Sequence, residues 1–76
     1  LDEAVRLAPD SASVRFQRGN QHADMGDHDR AIADYTEVIR LDPGASAAYC
    51  NRGNSQARLG ELDDTLADLS RAVELD

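Results

Sequence analysis

A chain of 76 residues holds at most one small domain, and a core of that size is marginal without a staple. Cys50 is the only cysteine, so a disulfide is excluded, as are the paired cysteine spacings of structural zinc; no cysteine or second histidine lies at a ligand spacing from His22 or His28. Eight arginines against fifteen acidic residues leave a net charge of -7, which disfavours nucleic acid and anionic membrane surfaces as partners.

No apolar run approaches the length of a membrane span, and no signal-peptide pattern is present. The first residue is Leu1 rather than Met, so the chain reads as a piece of something longer. Its compartment is not written in it; cytoplasmic is the default expectation.

In chain order, residues 1–8 read as the end of a second helix, with Val5 and Leu7 apolar. A helix is expected over 12–25, capped at Asp10 or Ser11 and closed by the left-handed glycine Gly26. Asp27 can cap a second helix, 28–41, whose Ala31, Ile32, Tyr35, Val38 and Ile39 fall on one apolar stripe. Pro43-Gly44 stops it. The plan then recurs as 46–59, Gly60, and 62–75 with Leu62, Leu66, Leu69, Ala72 and Val73 apolar. No stretch alternates with period two, so no sheet is expected.

The recurrence is a register. Offsetting the chain by 34 residues superposes Arg18 on Arg52, Gly19 on Gly53, Asn20 on Asn54, Gly26 on Gly60, Asp34 on Asp68 and Leu41 on Leu75. Pro9 lands on Pro43 in the same shift. An internal period in this range means stacked supersecondary units. The chain divides into the C-terminal part of a preceding unit's second helix (1–9) and two units, 10–43 and 44–76. Gly19 and Gly53 sit mid-helix, where glycine costs about 1 kcal/mol against alanine. They are expected to let two helix backbones approach closely, facing the small Ala31 and Ala33.

These residues resemble the tetratricopeptide repeat family over essentially the whole chain. Its pattern W-x2-L-G-x2-Y, then A-x3-F, then P, is met at Gly19, Ala31, Tyr35 and Pro43 in the first unit. The second unit meets it at Tyr49 and Gly53, with Leu69 in the aromatic slot. Departures fall at Arg18 and Arg52 for leucine, His22 and Gln56 for tyrosine, and Thr65 for alanine; long arginine stems are expected to cover apolar surface there.

The resemblance implies an all-α, right-handed helix-turn-helix repeat solenoid of about five helices. It further implies that the first helix of each unit lines a concave, protein-binding face. On that face the helical spacing sets Ser13, Phe16, Gln17, Asn20 and Asp24, then Ala47, Cys50, Asn51, Asn54 and Arg58. Each asparagine offers both a donor and an acceptor, so Gln17, Asn20, Asn51 and Asn54 form a two-rung amide ladder suited to a peptide backbone. The pattern is similar to that of asparagine-ladder members of the family, which grip backbones. Asn20 and Asn51 also match two asparagines of carboxylate-clamp members. However, Phe16 stands where their lysine would, and a net charge of -7 opposes an acidic tail.

The expected function is a protein-interaction module that takes an extended peptide or a partner helix in its groove. The alternative is self-association: Val5, Leu66, Leu69 and Val73 belong to end helices without polar caps, which favours homo-oligomers or domain swapping. No catalytic constellation, cofactor motif or metal site stands out. The acidic pairs flank helix starts, where carboxylates favour the macrodipole.

Overall fold

Ser11 starts the first helix: its Oγ accepts from the Val14 N–H at 3.2 Å, satisfying one of the donors a helix start leaves free. The computed structural model describes residues 11–76, and four helices occur among them. They are α1 (Ala12–Asp24), α2 (His28–Leu41), α3 (Ser46–Arg58) and α4 (Leu62–Leu75). No strand occurs among the described residues. The sequence led to about five helices; the fifth, with Val5, falls on 1–9, outside the described residues.

The glycine stops act through backbone geometry. Gly26 has φ 81° and Gly60 φ 80°, a region that L side chains rarely adopt. That conformation lets the Asp27 N–H reach back to His22 O at 2.8 Å and the Glu61 N–H to Gln56 O at 2.9 Å, which closes α1 and α3. Asp27 then caps α2 through Oδ1, accepting from Arg30 N–H. Ala45 and Glu61 give α3 and α4 no side-chain cap, though Asp63 and Asp64 in the first turn of α4 complement its dipole.

Packing follows chain order. α1 lies on α2 and α3 on α4 as two hairpins; α2 also packs on α3, and α1 touches α3 directly. The apolar core is narrow: Ala31, Tyr35, Val38, Ala48 and Ala72 are buried, beside Gly19 and Gly53. The glycines do mark close approach, but not against the small residues expected. Ala33 is exposed, and a Cβ on Gly19 would instead stand 2.8 Å from the Tyr35 ring and 3.3 Å from Asp34 Cβ. At Gly53 it would meet Leu69 Cδ2 at 3.2 Å and Asp68 Cβ at 3.3 Å.

α4 departs from its apolar pattern. Its buried side is Thr65, Asp68 and Ala72, whereas Leu62, Leu66 and Val73 are 65%, 66% and 77% exposed. Leu69, half-buried, leans on Gly53. Thr65 fits where Ala31 sits in the first hairpin because its Oγ1 donates to Glu61 O at 2.9 Å, leaving no stranded hydroxyl proton.

Candidate functional site

A clamp inside each hairpin repeats with the 34-residue register, and a groove runs between the first helices. The clamp is ionic. Arg18 donates to Asp34 through Nε at 2.8 Å and Nη2 at 2.7 Å; Arg52 donates to Asp68 through Nε at 2.7 Å and Nη2 at 2.8 Å. Both carboxylates are buried, and the fork of a guanidinium matches them two bonds at a time. The arginines are therefore more than stems over apolar surface. The Asp68 hydrogen bonds raise the pKa of Arg52 above its ordinary value, with burial opposing them. Arg52 also reaches Thr36 Oγ1 at 3.1 Å, tying α3 to α2, and its guanidinium lies 5.5 Å from the Tyr49 ring centre.

Each buried aspartate has another neighbour from the same place in its repeat. His22 Nε2 lies 3.7 Å from Asp34 Oδ2, with its buried Nδ1 lacking a hydrogen-bond partner. Gln56 occupies the equivalent position; with its amide turned to place nitrogen inward, it donates to Asp68 Oδ2 at 2.9 Å and Asp64 O at 3.1 Å. Arg15 Nη1 approaches Asp34 at 3.8 Å.

The groove opens between α1 and α3, with a volume of about 740 Å³. Of the residues assigned to the concave face, Asn20, Asp24, Asn51, Asn54 and Arg58 line it. Asp24 and Arg58 occupy equivalent places in the two units, so opposite charges stand at one register position.

Phe16, Gln17 and Cys50 are not among its lining residues. Phe16 is half-buried and packs its ring against Tyr35, with centroids 5.8 Å apart. Gln17 is exposed elsewhere on α1, and Cys50 is a half-buried free thiol on α3.

Residues not assigned from sequence complete the lining: Ala23, Gly26, His28, Tyr35 and Ser55. His28 and Tyr35 come from α2, at the floor between the two first helices. His28 Nδ1 lies 3.2 Å from Ser55 Oγ, joining α2 to α3. Ser55 is only 2% exposed, and among the described residues no ion pair joins His28 to a carboxylate. The pair thus has the geometry of a clasp between units and lacks the orienting acid and accessible hydroxyl of a nucleophilic dyad.

The middle of the groove holds a three-residue polar cluster. Tyr35 donates its hydroxyl proton to Asn20 Oδ1 at 2.6 Å, and Asn51 donates Nδ2 to the same oxygen at 3.0 Å. Burial pushes the Tyr35 phenol above its ordinary pKa; a hydrogen bond with the Asn51 side chain works against that, and the Asp24 and Asp34 charges add to it. Tyr35 fills the slot assigned to it by the repeat pattern, yet its hydroxyl faces the groove. Among the described residues, no group of three His, Cys, Asp or Glu side chains is placed to hold a metal ion. No described helix is long and apolar enough to cross a membrane.

Two helix-turn-helix hairpins in one register, with a polar groove along their first helices, define a helical-repeat module. A family model for the tetratricopeptide repeat matches residues 16–76, and the chain belongs to that family. Modules of this family generally mediate protein–protein interaction and are typically not enzymes.

Among solved structures, one of MamA is 28% identical with a TM-score of 0.92, covering 97% of this chain and 43% of that one. A second MamA structure is 28% identical with a TM-score of 0.90, covering 97% and 40%. A third, of MamA MSR-1, is 25% identical with a TM-score of 0.90, covering 95% and 41%. The chain thus spans less than half the length of these proteins. A comparison with curated proteins gives no match.

Proposed function

We propose that this module binds a polypeptide segment, an extended peptide or a partner helix, in the groove between α1 and α3. One observation carries the reading: Asn20, Asn51 and Asn54 from both first helices converge on one open groove, which Asp24, Arg58 and His28 also line. Amide side chains supply donors and acceptors without net charge, so they hold a backbone while leaving side-chain preference to the rest of the lining. Protein binding also accords with the family's general role.

The test is capture of a panel of immobilised peptides by the wild-type chain and by an Asn51→Ala/Asn54→Ala variant. Binding that depends on the two asparagines supports the reading. Equal capture by the variant removes it and leaves the fold untouched.

A second reading, self-association, draws on the exposed Leu62, Leu66 and Val73 of α4. Apolar side chains in a row on one helix face form the kind of patch that soluble monomers usually cover. Light scattering across a concentration range decides it: growth in mass that Leu66→Glu abolishes supports assembly through α4, and a constant monomer mass rejects it.

A further inference from the structure

Asn20 and Asn51 do not present whole amides to the groove. Asn20 Oδ1 accepts two hydrogen bonds, from the Tyr35 hydroxyl and from Asn51 Nδ2, which uses both of its lone pairs. Asn51 has its nitrogen turned toward that same oxygen. The faces remaining are the Nδ2 of Asn20, a donor, and the Oδ1 of Asn51, an acceptor. Tyr35 sets this polarity. Its ring is wedged against Gly19 and Phe16, and at 1% exposure it has no room to swing. Its hydroxyl therefore points at one fixed place, and the oxygen of Asn20 turns to meet it.

We infer that Tyr35 is a positioning residue for the groove, fixing Asn20 as donor and Asn51 as acceptor so that the site selects an extended strand over a helix. This rests on the groove reading above and narrows it. In an extended chain one residue offers its N–H and C=O to the same side, as the hydrogen-bonded pairs of an antiparallel ladder do. A fixed donor beside a fixed acceptor fits that pair. A helical segment has spent its backbone groups on itself, apart from its ends, and cannot use the match. Without the Tyr35 hydroxyl, both amides are free to turn over, and each loses its assigned role for part of the time. The binding cost of that freedom appears as lost affinity, since preorganisation is a large share of what a groove contributes.

The experiment begins with a linear peptide selected on the wild-type chain from a random library. The peptide is then synthesised in an ordinary form and in a series carrying one backbone N-methyl each. The expected result is that Tyr35→Phe weakens the ordinary peptide by about threefold to tenfold, which is roughly 0.7–1.4 kcal/mol. The N-methyl form that is weakest on the wild type loses less, so the preference for a free N–H narrows. Phe keeps the ring contacts with Gly19 and Phe16, and an unchanged circular dichroism spectrum shows that the fold is retained. A merely structural role for Tyr35 would weaken both peptides alike.

Asn20→Asp provides the second arm. It keeps an acceptor for Tyr35 and Asn51 but replaces the groove-facing donor with a carboxylate oxygen. The ordinary peptide is expected to weaken while the N-methyl discrimination persists, because Asn51 still presents its acceptor to the peptide N–H. Loss of that discrimination would overturn the assignment. A peptide lost on Asn51→Ala/Asn54→Ala yet indifferent to Tyr35→Phe overturns this inference alone. A selected peptide that is helical when bound overturns it too. A selection that yields no peptide dependent on Asn51 and Asn54 rejects the groove reading, and the inference with it.

Discussion

Arg18 and Asp34 close a two-pronged hydrogen bond across the first hairpin, and 34 residues later Arg52 and Asp68 repeat it across the second. The pair joins the first helix to the second at the level of Gly19 or Gly53, where a Cβ would crowd the side chains of the second helix. A buried ion pair is a weak source of net stability, because its desolvation offsets much of its attraction. Its fork geometry nonetheless admits one rotation of each helix about its axis. In a core made largely of alanine and glycine, that constraint substitutes for the interlocking of large side chains.

Breaking one clamp is expected to cost more than erasing it. Asp68→Ala strands the Arg52 guanidinium, which is 18% exposed, and should destabilise by about 3 kcal/mol, at the low end for a broken buried pair. Arg52→Met/Asp68→Leu removes both charges and should recover most of that loss. Urea unfolding followed by circular dichroism measures both. A double variant no more stable than Asp68→Ala would mean that the pair adds net stability rather than geometry.

The two mid-helix glycines should respond differently to the same methyl group. On Gly19 it meets Tyr35 Cε1 at 2.8 Å, on a buried ring held by its own hydrogen bond. On Gly53 it meets the end of Leu69 at 3.2 Å, a branched side chain that is only half-buried. Alanine returns about 1 kcal/mol of helix preference at either place. Overpacking a rigid neighbour costs about 1–3 kcal/mol. Gly19→Ala is thus expected to lower the melting temperature and Gly53→Ala to leave it nearly unchanged. Equal losses would show that Leu69 is as fixed as Tyr35.

Helix limits were the most legible feature, because Ser11, Asp27, Gly26, Gly60 and Pro43-Gly44 act locally and need no tertiary context. The observed α1 and α3 end one residue sooner than the pattern suggests, since Met25 and Leu59 already belong to the glycine turn. The groove was half legible. Helical spacing placed Asn20, Asp24, Asn51, Asn54 and Arg58, but His28 and Tyr35 enter from α2, which a rule about first helices does not consider. Phe16, Gln17 and Cys50 share the predicted face yet lie outside the groove's lining, because spacing fixes a face, whereas the neighbouring hairpin decides which part of that face is enclosed. The ionic clamp was written in the repeat itself, as Arg18/Arg52 and Asp34/Asp68 both recur unchanged. On α4 the apolar pattern is only half met: Thr65, Asp68 and Ala72 fill the inward side with Leu69 half-buried beside them, while Leu62, Leu66 and Val73 turn out.

The turn glycines offer a cleaner test of backbone strain. Nothing lies within 4 Å of a Cβ built on Gly26, and its φ is 81°. Any loss on substitution is then conformational and not a clash. Gly26→Ala should cost about 1–2 kcal/mol, the left-handed penalty for an L residue. Gly26→Asn should cost less, because asparagine tolerates that region. Chemical denaturation of the two variants ranks them, and an alanine variant as stable as the asparagine one would contradict the assignment.

The buried phenol makes stability fall at high pH. Burial raises the folded-state pKa of Tyr35 above its unfolded value of 10.0. The native state then holds a proton that the unfolded chain has already released, so stability declines wherever the unfolded state binds fewer protons. The contribution is fully present below pH 10.0 and is lost as pH rises through the higher folded pKa. In structural terms, the phenolate can no longer donate to Asn20 Oδ1, and it places a negative charge near Asp24 and Asp34. Tyr35→Phe removes this ionisation, so the variant's stability should decline less steeply over the same alkaline range. Thermal melts of wild type and variant at matched pH values give the comparison, with phenolate absorbance reporting the titration directly. Parallel slopes for the two proteins would show that Tyr35 ionises outside the range or without consequence for the fold.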